Sequence, residues 1–178
     1  MIGNNNMQNI VTKKNVFWTL VRWVPLLDRL AKIIATFFYV GYLPFMPGTF
    51  GSAAALLLFL FFNPAPIAQY AFLAGFMVLG FYFSGKAEKL FNRKDPKYVV
   101  IDEVAGMFLT FLFVPLDFKL LLIGFLLFRV LDTIKPYPAG RLQNLPGSAG
   151  IMLDDVVAGL YANIILQFLS RVLLKIPS

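Results

Sequence analysis

The chain has 178 residues, 59% of them hydrophobic, with 20 Phe and only 14% charged, which is more apolar than a soluble domain of this size carries. Its net charge of +7 comes from Lys and Arg grouped between apolar stretches, a pattern suited to anionic lipid head groups and not to nucleic acid. There is no His and no Cys, so a histidine base, a phosphohistidine, a thiolate, a disulfide and a typical zinc site are all excluded, and any catalysis must use oxygen ligands.

These priors predict an all-α integral membrane bundle. Segment 1–28 reads as an N-terminal interfacial or partly ordered piece: Phe17, Trp18 and Trp23 are mixed with Arg22 after Lys13 and Lys14, with no small-residue cleavage pattern. Residues 29–178 read as one membrane-embedded domain. Leu30 to Val40 is apolar except for Lys32, and whether it spans or lies flat is open. Ser52 to Phe62 follows, then a turn at Asn63-Pro64-Ala65-Pro66, then Ile67 to Phe83. A basic stretch, Lys86 to Lys97, precedes Val104 to Val114. Phe118 to Leu131 and Val156 to Leu169 complete the apolar series.

Most of these runs have about 11 to 17 residues, whereas roughly 20 are needed to cross the hydrocarbon core, so each helix must borrow length from its polar flanks. The motif-bearing helix ends then lie at head-group depth. With the turns at Asn63 to Pro66 and Pro115 to Asp117 on one side, the stretches Gly41 to Ser52, Lys86 to Glu103 and Arg129 to Asp155 share the other. That side carries Lys86, Lys89, Arg93, Lys94, Lys97, Lys135 and Arg141, and the two turns carry no Lys or Arg, which makes it cytoplasmic. Four or five spanning helices with short interfacial helices are expected.

Four motifs carry the chemistry. Pro47-Gly48-Thr49-Phe50-Gly51-Ser52 reads as a glycine-bracketed turn before a helix, where free N–H groups, Thr49 and Ser52 could receive a phosphate; the plain alternative is a helix start with Ser52 as N-cap. Lys94-Asp95-Pro96 leads into Asp102-Glu103, and Leu145-Pro146-Gly147 leads into Asp154-Asp155. Both acid pairs open an apolar segment and are followed by Val and then Ala-Gly, an internal echo of two similar helix starts facing one site. Acids there can simply complement a helix dipole, and Ala-Gly can simply allow close packing. Two pairs on one membrane face nonetheless point to function, since charge at membrane depth is costly. In the fourth motif, Arg129 and Asp132 share a helix face, Lys135 follows, and Pro136 stops the helix. Asp132 could add metal-ligand oxygen, with Arg129 or Lys135 on phosphate.

Together, in this order from about Ala35 to the C-terminus, these motifs resemble the phosphatidylglycerophosphatase A family. The resemblance implies a Mg²⁺-dependent hydrolase of the bacterial inner membrane, facing the cytoplasm, that removes the terminal phosphate of the anionic phospholipid phosphatidylglycerophosphate. Leu131, Ala139 and Ser148 depart from the pattern, where an aromatic residue, a larger aliphatic one and a second glycine are expected. None of these removes an ionisable group.

The residues then read as follows. Asp102, Glu103, Asp154 and Asp155, with Asp132 and Asp95, are expected to hold one or two Mg²⁺ ions and activate water for in-line attack. Lys94, Lys135, Arg129 and the Gly48 to Ser52 segment are expected to bind and orient the phosphate. A covalent aspartyl-phosphate on Asp132 or Asp154 is the competing route. A CDP-alcohol phosphatidyltransferase is disfavoured because its spaced-aspartate signature is missing. A carrier or ion-conducting bundle would also explain intramembrane carboxylates, although here they cluster at one face.

Overall fold

A computed structural model describes residues 26–62 and 65–174. Most of segment 1–28 lies outside these residues, as do Asn63 and Pro64 of the first turn. The described chain is all-helical, with no strand: α1 (residues 26–35), α2 (Pro47–Phe62), α3 (Pro66–Leu90), α4 (Ile101–Thr110), α5 (Phe118–Ile134), α6 (Ala139–Leu142) and α7 (Ser148–Leu174), with a 3₁₀ turn at Val40–Tyr42.

The boundaries follow local chemistry. Pro66 opens α3 at a position where its missing N–H costs nothing. The Asp117 carboxylate accepts from the backbone N–H of Lys119 and Leu120 at 2.9 and 3.2 Å and so caps α5. At the other end Lys135 turns left-handed, with φ 49°, ahead of Pro136. Three boundaries differ from the sequence reading. Helix α2 begins at Pro47 instead of Ser52, so Gly48, Thr49 and Ser52 sit within its first turns, and the Ser52 hydroxyl donates to the Gly48 carbonyl at 2.9 Å instead of capping. Helix α3 runs through Lys86 and Lys89 to Leu90. Helix α7 begins at Ser148, which places Asp154 and Asp155 in its second turn, beyond the reach of a simple N-terminal dipole role.

Helix α4 is the centre. It is only ten residues long, and Ile101, Asp102, Val104, Ala105, Gly106, Met107, Phe108 and Thr110 are all buried. A helix buried on every side must be surrounded, and α2, α3, α5 and α7 surround it. Phe108 packs against Phe59 of α2 and Phe76 of α3, with ring centroids 5.4 and 5.0 Å apart. The Ala-Gly pairs set the α4–α7 contact: a Cβ on Gly159 would meet the Gly106 carbonyl oxygen at 2.3 Å, and a Cβ on Gly106 the Asp155 carbonyl oxygen at 2.7 Å.

The apolar run through Val114 does not continue as helix. Helix α4 stops at Thr110, and side chains satisfy its exposed backbone: Asn163 Nδ2 donates to the carbonyls of Thr110 (3.0 Å) and Leu112 (2.9 Å), and Gln167 Nε2 donates to Leu112 (3.0 Å). Gln69 Oε1 accepts from the N–H of Phe113 at 2.9 Å. Irregular backbone in an apolar setting needs such partners.

Among the described residues, α3 and α7 are long and apolar enough to cross a membrane, while α2 has 16 residues and α5 has 17. The outward surfaces are apolar on all four, including Phe61 on α2, Val78 on α3, Leu126 on α5 and Phe168 on α7.

Candidate active site

The polar stretches separated in sequence meet at one end of the bundle. A cavity of about 270 Å³ is lined by Met46, Pro47 and Gly48 from α2 and its approach, Asp95, Lys97 and Val99 from the loop before α4, Asp102 and Glu103 from α4, Arg129, Asp132 and Lys135 from α5 and its cap, and Asp154 and Asp155 from α7. Asp102 and Glu103 occupy the first turn of α4, so the short central helix points its amino end, with its partial positive charge, at the cavity.

Carboxylate oxygens of Asp102, Glu103 and Asp155 lie within 4.8 Å of one another. Asp102 and Asp155 are buried. Asp102 Oδ1, Glu103 Oε2 and Asp154 Oδ1 are buried without a hydrogen-bond partner. Buried anionic oxygens this close repel and lack water, and a hard divalent cation with oxygen ligands is the species that satisfies both conditions. The donor set therefore fits Mg²⁺, and Mn²⁺ by the same criterion.

The two flanking acids are already paired. Asp132 Oδ2 accepts from Arg129 Nη1 at 2.7 Å, and Asp154 Oδ2 accepts from Lys135 Nζ in a close ion pair. Arg129 Nη1 also reaches Ser52 Oγ at 3.5 Å, so Ser52 backs the guanidinium and does not line the cavity. Burial draws the Lys135 ammonium downward, but its bond to Asp154 and the nearby Asp155 and Asp132 carboxylates outweigh it and hold its pKa above the ordinary lysine value. The cation stays charged at any physiological pH.

Gly48 is needed for space. A Cβ there would stand 2.2 Å from Glu103 Oε1 and 3.3 Å from Arg129 Nη1. Thr49 does not line the cavity, and its Oγ1 is buried and unpartnered. Asp95 lines the wall with φ 45°. Of the lysines around Pro96, the exposed Lys94 lies outside the lining and Lys97 is in it. Both lysines are exposed, and sequence spacing carried no signal to prefer Lys97, because the course of the loop decides which of the two reaches the lining.

An apolar helical body with clustered carboxylates and paired cations in one end cavity marks a membrane-associated protein with a polar site whose donor set fits a hard cation. The sequence description of phosphatidylglycerophosphatase A (PgpA) matches residues 33–170, and the chain belongs to that family and is a phosphatase. It is 34% identical over 142 residues to phosphatidylglycerophosphatase A of Escherichia coli, covering 78% of this chain and 83% of that one. Identity is 32% over 137 residues to the Haemophilus influenzae protein of the same name, covering 75% and 84%. A Bacteroides thetaiotaomicron protein provisionally named as a phosphatidylinositol-3-phosphatase is 33% identical over 142 residues, covering 75% and 89%. No solved structure matches the chain.

Proposed function

We propose that this phosphatase hydrolyses the terminal phosphomonoester of phosphatidylglycerophosphate to phosphatidylglycerol and phosphate, with Mg²⁺ held by Asp102, Glu103 and Asp155 and completed from Asp95, Asp132 and Asp154. The observation that carries the reading is the convergence of three carboxylates from α4 and α7 beside two cations already fixed by their own acid partners. When bound, Mg²⁺ supplies Lewis acidity toward the phosphomonoester. Arg129 and Lys135 orient the phosphate oxygens. Asp154 Oδ1, buried, unpartnered and outside the Asp102, Glu103 and Asp155 cluster, is what the chain offers to receive the proton of the attacking water. Water oxygen bonds to phosphorus as the glycerol oxygen leaves and takes up a proton. Asp132 and Asp154, the candidates for a covalent route, are engaged by Arg129 and Lys135, which favours direct attack by water.

The chain is proposed to cross the bacterial inner membrane four or five times, with the cavity at the cytoplasmic head-group layer. The Lys and Arg asymmetry and the apolar outer faces of α2, α3, α5 and α7 support this arrangement.

The test is phosphate release from phosphatidylglycerophosphate by the detergent-purified chain, with Mg²⁺ and with chelator, beside Asp155→Asn. Phosphatidylinositol 3-phosphate serves as competing substrate. Metal-dependent release that collapses in the variant and prefers phosphatidylglycerophosphate is expected. A folded, lipid-supplemented chain that releases phosphate from neither lipid would overturn the proposal and turn attention to solute flux in proteoliposomes.

A further inference from the structure

The segment between α1 and α2 is unlike the rest of the surface. Phe37, Phe38, Tyr39 and Phe45 all have positive φ, from 45° to 75°, a region bulky residues rarely enter and one that marks functional segments when it clusters. Phe37 packs against the core, but the other large apolar side chains are held out: Phe45 is 98% exposed, Phe38 71% and Met46 60%. Apolar tips held out in this way are unfavourable in water unless something covers them.

The segment is also rigidly mounted. Gly41 lies so close to the Tyr98 carbonyl that a Cβ would meet its oxygen at 2.0 Å. The Tyr42 and Tyr98 rings stack with centroids 5.1 Å apart. Val100 N–H donates to the Ala35 carbonyl at 2.9 Å. The tips at Phe45 and Met46 adjoin the cavity, because Met46 is part of its lining and Phe45 precedes Met46 in the chain. Lys97, in the same lining, holds its ammonium 5.5 Å from the Tyr98 ring centroid, so a cation suited to an anionic head group stands beside the aromatic mount. Tyrosines at the base, apolar tips beyond and a cation at the cavity wall form the sequence of chemistries found across a lipid interface.

We propose that residues 38–46 are a lipid-docking rim: Phe45 and Met46 enter the acyl-chain layer beside the cavity mouth and align the phosphate of a membrane-held lipid with the carboxylates. This rests on the lipid-phosphatase reading above and adds to it the residues that select a membrane-embedded substrate over a soluble phosphomonoester. Phe45 acts as a positioning residue, since it touches the lipid body and not the reacting atoms.

The test places a probe at the tip. On a Trp18→Phe/Trp23→Phe background, Phe45→Trp introduces the only tryptophan in the chain. The full chain is reconstituted in phosphatidylglycerol–phosphatidylcholine vesicles with and without brominated acyl chains. Blue-shifted emission that brominated lipid quenches and aqueous iodide does not is expected. Quenching by iodide alone overturns the proposal, and so does protection from both quenchers, which would mean that protein covers the tip. In mixed micelles, Phe45→Ser is expected to lower the ratio of kcat/KM on phosphatidylglycerophosphate to that on p-nitrophenyl phosphate by about tenfold, with Phe45→Trp restoring it. An unchanged ratio overturns the selective role. Quenching of the Phe45→Trp probe by brominated lipid, in a chain inactive on every phosphomonoester, would refute the phosphatase chemistry while leaving the rim in place.

Discussion

Substituting Gly48 by Ala separates the site from the fold. The new Cβ would lie 2.2 Å from Glu103 Oε1, so the carboxylate must withdraw by about 1.2 Å to reach ordinary contact at 3.4 Å. The atom that yields is the end of a flexible side chain, and a first-turn Gly-to-Ala change in a helix is neutral or stabilising by up to ~1 kcal/mol. Stability is therefore expected to hold. Activity is not, because displacing a reacting group by about 1 Å costs on the order of a hundredfold, or ~2.7 kcal/mol in activation free energy. The assay is phosphate release from phosphatidylglycerophosphate in detergent with saturating Mg²⁺, alongside thermal unfolding of the same preparation. Gly75→Ala is the control, since a Cβ there meets nothing within 4 Å. A Gly48→Ala protein that unfolds normally and keeps kcat within about threefold of wild type would refute the assignment of Glu103 to the reacting centre.

Gly159→Ala is expected to destabilise the bundle by about 1–3 kcal/mol, because the intruding Cβ meets the Gly106 backbone carbonyl and not a movable side chain; detergent unfolding compared with Gly75→Ala measures it. Asn163→Leu should cost about 1–2 kcal/mol by removing a donor from the carbonyls of Thr110, the last residue of α4, and Leu112 beyond it, read from the same unfolding curves. Lys135→Met leaves the buried Asp154 carboxylate unpaired and should cost about 3 kcal/mol without metal, measured in chelator. The folded-state pKa of Lys135 is raised, so the stability it contributes is fully present below about 10.5 and lost only as pH rises beyond that. The Lys135 contribution to the difference between wild type and Lys135→Met is thus constant from about pH 6 to 9, and a difference that shrinks as pH rises across that window would contradict the ion pair as described.

Much of this architecture was legible in residue order. Absence of His and Cys left oxygen chemistry alone, and apolar runs bounded by Pro, Gly and charge marked the helices. The pairs Asp102-Glu103 and Asp154-Asp155 stood out because carboxylates are rare in such a chain. The Ala-Gly echo after each pair also carried its packing meaning, since Gly106 and Gly159 do bring α4 and α7 into backbone contact. Those features depend on single residues or neighbours along a helix, and such local physics is written in the sequence.

Tertiary structure decided the rest, because distances between distant segments depend on how helices pack. It brought Asp155, and not Asp154, beside Asp102 and Glu103, and committed Asp154 to Lys135. It put Lys97 and not Lys94 on the cavity lining, although both are exposed, and drew Gly48 into a helix whose first turn makes room for Glu103. It also used Asn163 and Gln167, polar residues inside an apolar run, to close the early end of α4. Composition dictates that the buried polar groups of so apolar a chain must find partners, and only the packed bundle determines which partners those are.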